Sequence, residues 1–512
     1  MYGMVIRDPW YDFGSIPAAP NAPNYAAQDL MGAMLEQLGV QWVRMEFHIE
    51  GSDLTIAEQI ARNDYFIYEV APRHNLKILG LLGYGLVRGQ DPRILGQVSF
   101  EVDPQYGPGI DQAKRIWLDR AQFVINRYGD AVAAYQVLNE PNRLATEWNA
   151  ALPPSEVARL QTVLYRAVRH PTTANDSNDA AWRSTVQLVL SGIQPAGSGQ
   201  INQFGHLSDA DYIRRLYTAA PFQDYFAEHG RFPLDGLGYH PYPLEVYRST
   251  IPITAPDTLT SAMIATYEQD LQQILATPDP QRDIAIITQR LDSIRAVLEE
   301  VGDPVQPFWI TELGFNVAYG NQDATMQAAF MQGLASQIAP RPDVARVFWF
   351  KYEDFPPADG PDAQQWGVVR IPFEPGGCAG GACYDIAGRP ALLRPAFFVY
   401  REQSGAAARL PEPPAQVTIW GEPGGALVYE PTTLYATVER TSVAQPITYT
   451  WQINDEPPIV HTGGLTDSLT LHWSRPGTYH LTLEARNTSG PVISSRVLRV
   501  YPCRCWPPLR RV

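Results

Sequence analysis

The stretch Tyr135-Gln136-Val137-Leu138-Asn139-Glu140-Pro141-Asn142 begins as an apolar strand and closes on an amide, a carboxylate and a proline. Proline cannot donate to a strand ladder, so the strand stops there. A second stretch, Phe308-Trp309-Ile310-Thr311-Glu312-Leu313-Gly314-Phe315, again ends an apolar run in a carboxylate. Working outward, short apolar runs of the same kind recur at Met4–Arg7, Trp42–Phe47, Ile78–Gly83, Val186–Ser191, Gly236–Tyr239 and Val347–Phe350. The segments between them have helical spacing. Ala26–Leu38 puts Leu30, Met34, Leu35 and Leu38 on one face; Ile116–Tyr128 and Pro154–Val168 are similar, and Pro154 suits a first helical turn. With the two quoted stretches these make eight strands, each followed by a helical segment, which is the pattern of an α/β (β/α)8 barrel. No G-x-G-x-x-G follows the first strand, which speaks against an open dinucleotide-binding sheet. The long segment Tyr242–Pro307 contains helical stretches at Leu259–Leu275 and Asp283–Glu300 and reads as an elaborated connection between strands six and seven.

The chain of 512 residues is long for one domain, and its texture changes near residue 404. The barrel is expected over 1–403, an Ala- and Pro-rich linker over 404–414, a small all-β sandwich over 415–501, and a short basic tail over 502–512. In the sandwich region the period becomes two, with strand-like runs at Val417–Trp420, Leu434–Val438, Ile447–Ile453, Leu469–Trp473, Tyr479–Glu484 and Val492–Val500.

Hydrophobic residues make up 45 % of the chain, enough for a large core. The net charge is 39 − 54 = −15, which leaves no field to hold a phosphate backbone and excludes general nucleic-acid binding. Apolar runs such as Ile78–Leu82 are far too short to span a bilayer. The four cysteines do not form a disulfide framework. Cys378 and Cys383 either close a small loop disulfide or stay free, and a bridge between Cys503 and Cys505 would be strained. Met1 leads straight into strand-like Tyr2–Ile6, with no charged and apolar leader pattern. Either the protein is cytoplasmic or a leader lies outside this chain.

Two carboxylates at strand ends on one barrel face are suited to acetal chemistry. One must hold a proton to assist a leaving oxygen; the other must be ionised to attack or stabilise an oxocarbenium centre. Each charge is expected to raise the other's pKa, so that one proton is held near neutral pH. No H-E-x-x-H or calcium-loop pattern is present, and no metal or other cofactor is expected.

These segments resemble clan A glycoside hydrolases, retaining enzymes on a (β/α)8 barrel, and most closely family 39-like members, with cellulase-like family 5 nearby. The resemblance implies that Glu140 is the acid/base, Glu312 the nucleophile, and Asn139 the partner of the sugar 2-hydroxyl. It also implies substrate-site roles for Arg44, which would hold the nucleophile, and for His240 and Tyr242, with Tyr242 donating to Glu312. Trp349 would floor the subsite, and Trp148 belongs to the motif region after Glu140. The chain departs from the pattern at strand three, where several clan members carry a histidine and Tyr84 is the nearest polar group. Loop aromatics Trp10, Tyr11, Tyr352 and Trp366, together with Asp8 and His48, are further cleft candidates.

The C-terminal region resembles a PKD or immunoglobulin-like module, on Tyr449-Thr450-Trp451-Gln452-Ile453 and Pro476-Gly477-Thr478-Tyr479-His480-Leu481-Thr482-Leu483. Asn454-Asp455-Glu456 stands where Gly-Asp-Gly is usual. Such a module implies a spacer, an adhesion unit or a contact with glycan or the cell surface. The expected function is hydrolysis of a β-glycosidic bond in an oligo- or polysaccharide by double displacement, outside the cell or at its surface. A transglycosylase would use the same residues, and a non-catalytic glycan-binding barrel is the competing class. An aldolase-type barrel would need a strand-end lysine, for which Lys351 is the candidate.

Overall fold

The computed structural model of the chain describes residues 2–502, apart from segments 7–8, 10–14, 17–18, 50–53, 88–90, 144–150, 171–179, 197–206, 251–268, 270–275, 319–320, 356–363, 373–383, 386, 422–424 and 440–441. Trp148, Asp8, Trp10, Tyr11, the four cysteines and nearly all of the stretch 259–275 lie outside the described residues.

Eight parallel strands close into a barrel. They are β1 (Tyr2–Val5), β2 (Trp42–Glu46), β3 (Lys77–Leu82), β4 (Ala134–Asn139), β5 (Gln187–Ile193), β6 (Gly236–Tyr239), β7 (Phe308–Leu313) and β8 (Val344–Trp349). Neighbours in sequence are neighbours in the ring, and β1 completes it by pairing with β8, Tyr2 opposite Val347 and Met4 opposite Trp349. The strands are mostly apolar because both faces are covered, one by the barrel interior and one by helices.

The helical layer includes α1 (Tyr25–Leu38), α2 (Gln112–Tyr128), α3 (Pro154–Arg169), α4 (Pro280–Glu300), α5 (Ala324–Gly333) and α6 (Pro395–Gln403). Local chemistry sets their ends. The Asn24 side chain accepts from the Ala27 amide at the start of α1, and Gly39 stops that helix in the left-handed region at φ 74°. Asp111 caps α2 by accepting from the Lys114 amide. No helix among the described residues is long and apolar enough to cross a membrane.

The lower barrel is plugged by Val5, Trp42, Leu79, Ala134, Val189, Trp309 and Phe348. Trp42 and Trp309 meet edge to face with centroids 5.5 Å apart. Above this plug the inward positions turn polar, and that is where the candidate site lies.

The C-terminal region is a two-sheet sandwich of β9 (Val417–Trp420), β10 (Ala426–Leu427), β11 (Pro431–Val438), β12 (Ile447–Ile453), β13 (Ile459–Gly463), β14 (Thr466–His472), β15 (Gly477–Asn487) and β16 (Gly490–Tyr501). One sheet has the order β9-β11-β14 and the other β10-β16-β15-β12-β13. Trp451 fills the core between them, and its indole N–H donates to Asp467 Oδ2 at 2.7 Å.

The segment read as a linker is packed rather than hanging free. The Arg401 guanidinium donates to the Leu410 and Pro411 carbonyls, at 2.7 and 2.9 Å. Ser489 and Asn487 of the sandwich donate to the Pro411 and Glu412 carbonyls, at 2.9 and 2.8 Å. Backbone bonds Leu393 N to Ala415 O and Ile493 N to Pro390 O, at 2.8 and 2.9 Å, fasten the sandwich to the barrel side.

Candidate active site

The end of β4 is shaped by backbone as well as by side chains. Leu138 and Glu140 both lie in the left-handed region, at φ 66° and 41°, which non-glycine residues rarely adopt. Such geometry costs on the order of 1–3 kcal/mol per residue and persists only where the surroundings enforce it. Here the Glu140 amide donates to the Gly192 carbonyl on β5 at 3.0 Å. The Asn142 side chain bonds both ways to the Gln194 backbone, at 2.6 and 3.0 Å. The turn delivers the Glu140 carboxyl into the barrel mouth at 3 % exposure.

Glu312 arrives from β7 through an irregular stretch. The register between β7 and β8 shifts between Ile310 and Leu313, so consecutive Thr311 and Glu312 both serve the site. One oxygen of Glu312 accepts from Arg44 Nη1 at 2.7 Å, and the other from the Tyr242 hydroxyl at 3.1 Å. Arg44, on β2 and 3 % exposed, also donates through Nη2 to Asn139 Oδ1 at 2.8 Å and through Nε to Gln136 Oε1 at 2.9 Å. One guanidinium thus orders the ends of β2, β4 and β7 together.

His240 sits between the two carboxylates and is fully buried. Its Nδ1 is 3.0 Å from Glu140 Oε1 and 3.7 Å from Glu312 Oε2, and its Nε2 meets Thr311 Oγ1 at 2.8 Å. The ring rests on Gly192, where an added Cβ would lie 2.0 Å from Nε2. Both ring nitrogens are tied, so the imidazole cannot retreat. Gly192→Ala is expected to cost about 1–3 kcal/mol by overpacking, read as a lower urea midpoint. An unchanged midpoint would mean the ring has room to move.

The charge state of Glu140 differs from the expected mutual elevation of two carboxylates. Burial pushes its carboxyl up, but hydrogen bonding and charge from His240, and then Arg143, outweigh burial and hold it at about 2. Arg143 Nη1 donates to Oε2 at 2.9 Å from a half-exposed position. In the fold the guanidinium groups of Arg44 and Arg143 stand against the two carboxylates. The Tyr242 hydroxyl moves the other way: burial, then the charges of Glu312 and Glu140, raise it well above the ordinary tyrosine range, so it stays a donor. Tyr84 is buried near enough for the Glu140 charge to add to burial in raising its hydroxyl.

Trp349 is placed elsewhere than expected. It packs outward against α5, its ring 6.2 Å from Phe330, in a crevice shared with Met331, Leu334 and Tyr400. Strand parity is the reason: Phe348 points into the barrel, so Trp349 points out and Phe350 points in. The aromatic wall beside the carboxylates is Phe350 and Trp366, with centroids 6.2 and 5.5 Å from that of Tyr242. Trp366 was among the loop candidates; Phe350 was not. Tyr352 is buried, and its backbone amide donates to Val5 O at 3.0 Å.

Four residues that were not among the sequence candidates stand in or beside the site: Gln136, Thr311, Arg143 and Glu46. Gln136, Thr311 and Arg143 each bond directly to a site residue; a polar residue inside an otherwise apolar strand was the available signal for Gln136 and Thr311, whereas Arg143 lies in the turn after β4. Glu46 and His48 also stand at the end of β2, with His48 Nε2 3.3 Å from Glu46 Oε2. Both lean over side-chain-free Gly83 and Gly85, where an added Cβ would lie 2.7 Å from Glu46 Oε1 and from His48 Nδ1 respectively. Lys351, the candidate for Schiff-base chemistry, is fully buried with its ammonium 2.6 Å from Glu353 Oε1.

Glu140, His240 and Glu312 offer ligand atoms all within 4.8 Å of one another, close enough to share a cation. Each carboxylate oxygen already faces a donor: His240 and Arg143 on Glu140, Arg44 and Tyr242 on Glu312. A divalent ion would have to stand against two guanidinium groups, so the set fits a hydrogen-bonded acid–base pair better than a metal centre.

Similar folds occur among solved structures. One is the endo-β-1,4-mannanase from Thermotoga petrophila, at 12 % identity and TM-score 0.42, covering 98 % of this chain and 98 % of that one. A family 39 glycoside hydrolase from Bacteroides cellulosilyticus is similar at 14 % and 0.40, covering 91 % and 80 %. An endo-laminarinase from Formosa is similar at 14 % and 0.41, covering 72 % and 83 %. A comparison with curated protein sequences gives no match. Residues 416–500 match the PKD domain, and the C-terminal sandwich, with Trp451 in its core, is a PKD domain.

Proposed function

We propose that the chain is a retaining glycoside hydrolase that cleaves a β-glycosidic bond by double displacement. The observation that carries this reading is the spacing of Glu140 and Glu312, whose carboxylate oxygens approach within 4.8 Å at two strand ends of one barrel mouth. Retaining pairs stand about 5–5.5 Å apart, whereas inverting pairs stand about 6.5–9.5 Å apart to admit a water.

Glu312 is the nucleophile, its two oxygens held in place by donors from Arg44 and Tyr242. Glu140 is the acid/base. His240 Nδ1 and Arg143 Nη1, 3.0 and 2.9 Å from its two oxygens, lower its pKa against the effect of burial. In the first step Glu140 protonates the glycosidic oxygen while Glu312 attacks the anomeric carbon. The leaving oxygen takes the bonding pair, and a glycosyl ester forms on Glu312. In the second step the Glu140 carboxylate takes a proton from water, the water oxygen attacks the anomeric carbon, and Glu312 leaves as carboxylate. Asn139, its Oδ1 bound to Arg44, is positioned to present its amide to the 2-hydroxyl. Phe350 and Trp366 supply the aromatic surface for the sugar face. A carbohydrate substrate and a PKD domain together fit work outside the cell or at its surface.

Proton NMR of the first product anomer from an aryl β-glycoside tests the mechanism. The β-anomer is expected first; the α-anomer would overturn double displacement. Arg143→Gln tests the acid/base. Arg143 lowers the Glu140 pKa, so its removal raises that pKa and moves the alkaline limb of the kcat/KM profile to higher pH. An unmoved or lowered limb would remove Glu140 from that role.

A further inference from the structure

A glycoside cut at this mouth has to bring its leaving oxygen within hydrogen-bond reach of Glu140. The two carboxylate oxygens of that residue are held differently. Oε1 faces His240 Nδ1 at 3.0 Å, and that imidazole is fully buried. Oε2 faces Arg143 Nη1 at 2.9 Å, and the Arg143 side chain is 43 % exposed. The open side of Glu140 is therefore the side that Arg143 occupies, and a guanidinium stands where the leaving unit enters. Arg143 lies three residues after Glu140, in the turn that follows β4, so the chain fixes it on the leaving-group side.

The other charges that act on Arg143 are those of Glu245, on the helical segment Pro243–Ser249 after β6, and of Glu312. A neutral leaving unit would part Arg143 from Glu140 and offer neither of them an opposite charge in return. A leaving unit with a carboxylate exchanges one charge-assisted pair for another, and the planar guanidinium fork matches a carboxylate in shape. The exchange also takes from Glu140 one of the two partners that favour its ionised form, His240 being the other. Tyr84 and Tyr242, which also feel the Glu140 charge, stay neutral and cannot replace the guanidinium. Glu140 then takes up a proton from solvent more readily, and that proton goes on to the glycosidic oxygen. The net charge of −15 opposes a densely charged polymer, but fields beyond about 10 Å are largely screened at ordinary salt. One carboxylate against one guanidinium is a local match.

We propose that the substrate bears a carboxylate on the unit that leaves from Glu140, as a uronic acid does, and that this carboxylate draws Arg143 off the acid/base. This role for Arg143 rests on the catalytic reading of Glu140 and Glu312.

The test is a pair of aryl β-glycosides, 3-carboxyphenyl and 3-carbamoylphenyl, made on each of glucose, mannose, xylose and galactose. The two leaving groups are nearly the same shape and differ in charge, and the carbamoyl phenol is the better leaving group in water. On whichever sugar is cut, kcat/KM is expected to be about tenfold higher for the carboxylate, the order of one charge-assisted hydrogen bond. Added salt is expected to shrink that ratio, because the pair is half-exposed. Arg143→Gln is expected to bring the ratio to about one, and Arg143→Lys, which keeps the charge, to retain part of it. Equal kcat/KM for the two glycosides in the parent overturns the proposal. So does a preference that survives in Arg143→Gln, or an Arg143→Lys variant as indifferent as the glutamine one. Turnover of neither glycoside on any of the four sugars would instead overturn the catalytic reading itself, and the role of Arg143 with it.

Discussion

Glu312→Gln is expected to reduce kcat/KM on aryl β-glycosides by about 10⁴-fold or more, the scale on which loss of a covalent nucleophile is felt. The substitution is nearly isosteric and keeps its neighbours satisfied. The amide oxygen can accept from Arg44 Nη1, and the amide nitrogen can donate to the Tyr242 hydroxyl oxygen. The fold should therefore survive, and an unchanged circular dichroism spectrum would separate chemistry from unfolding. What disappears is a negative oxygen able to bond carbon. A screen across β-glucosides, β-mannosides, β-xylosides and β-galactosides would name the sugar in the parent and measure the loss in the variant. Residual activity above a tenth of the parent would mean that another group attacks the anomeric carbon.

The second large effect is on stability. Arg394 is 2 % exposed and grips Asp354 with two parallel bonds, at 2.8 and 2.7 Å. It also donates to the Gly367 carbonyl at 2.6 Å and to Gln365 Oε1 at 3.1 Å. Arg394→Leu leaves the Asp354 carboxylate buried with only the Gly367 amide, at 2.9 Å, and whatever water can reach it. Breaking one side of a buried pair costs about 3–5 kcal/mol, because the remaining charge has lost its counter-ion. Urea unfolding should show this, and Asp354→Leu in the same chain should restore much of it. A loss below about 1 kcal/mol would mean the pair is not desolvated as the fold implies. The segment clamped by Arg394 includes Trp366, so the variant should also weaken the aromatic wall beside Tyr242.

The barrel was legible because its strands are buried on both faces and read as apolar runs with carboxylates at their ends. That same double burial hid strand parity. In Val347-Phe348-Trp349-Phe350 every residue is apolar, so nothing local says which ring faces the cleft, and the tryptophan was chosen over Phe350. The positions of Glu140 and Glu312 were visible as motifs, but the ionisation of Glu140 depends on Arg143 and on a histidine a hundred residues away in sequence. His48 was a candidate from its place after strand two, but its partner Glu46 was not, because the pair's place depends on Gly83 and Gly85 just beyond β3. The connector to the sandwich was judged on composition, whereas its anchoring comes from Arg401 and from side chains of β15 and the β15–β16 turn.

The ring order of the barrel has a consequence for how the chain is made. β1 needs both β2 and β8 as neighbours, and its partner residues on β8 lie more than three hundred positions downstream. During synthesis the first seven strands must wait as an open, curved sheet with two unpaired edges until residues 344–349 emerge. Contacts of such long range form slowly and leave an aggregation-prone intermediate. The sandwich, whose β15 and β16 are joined by a tight turn, pairs almost entirely with its own near neighbours and can fold soon after it appears. Its docking through β16 and the connector then comes last, so biogenesis of this protein is timed by barrel closure rather than by its C-terminal module.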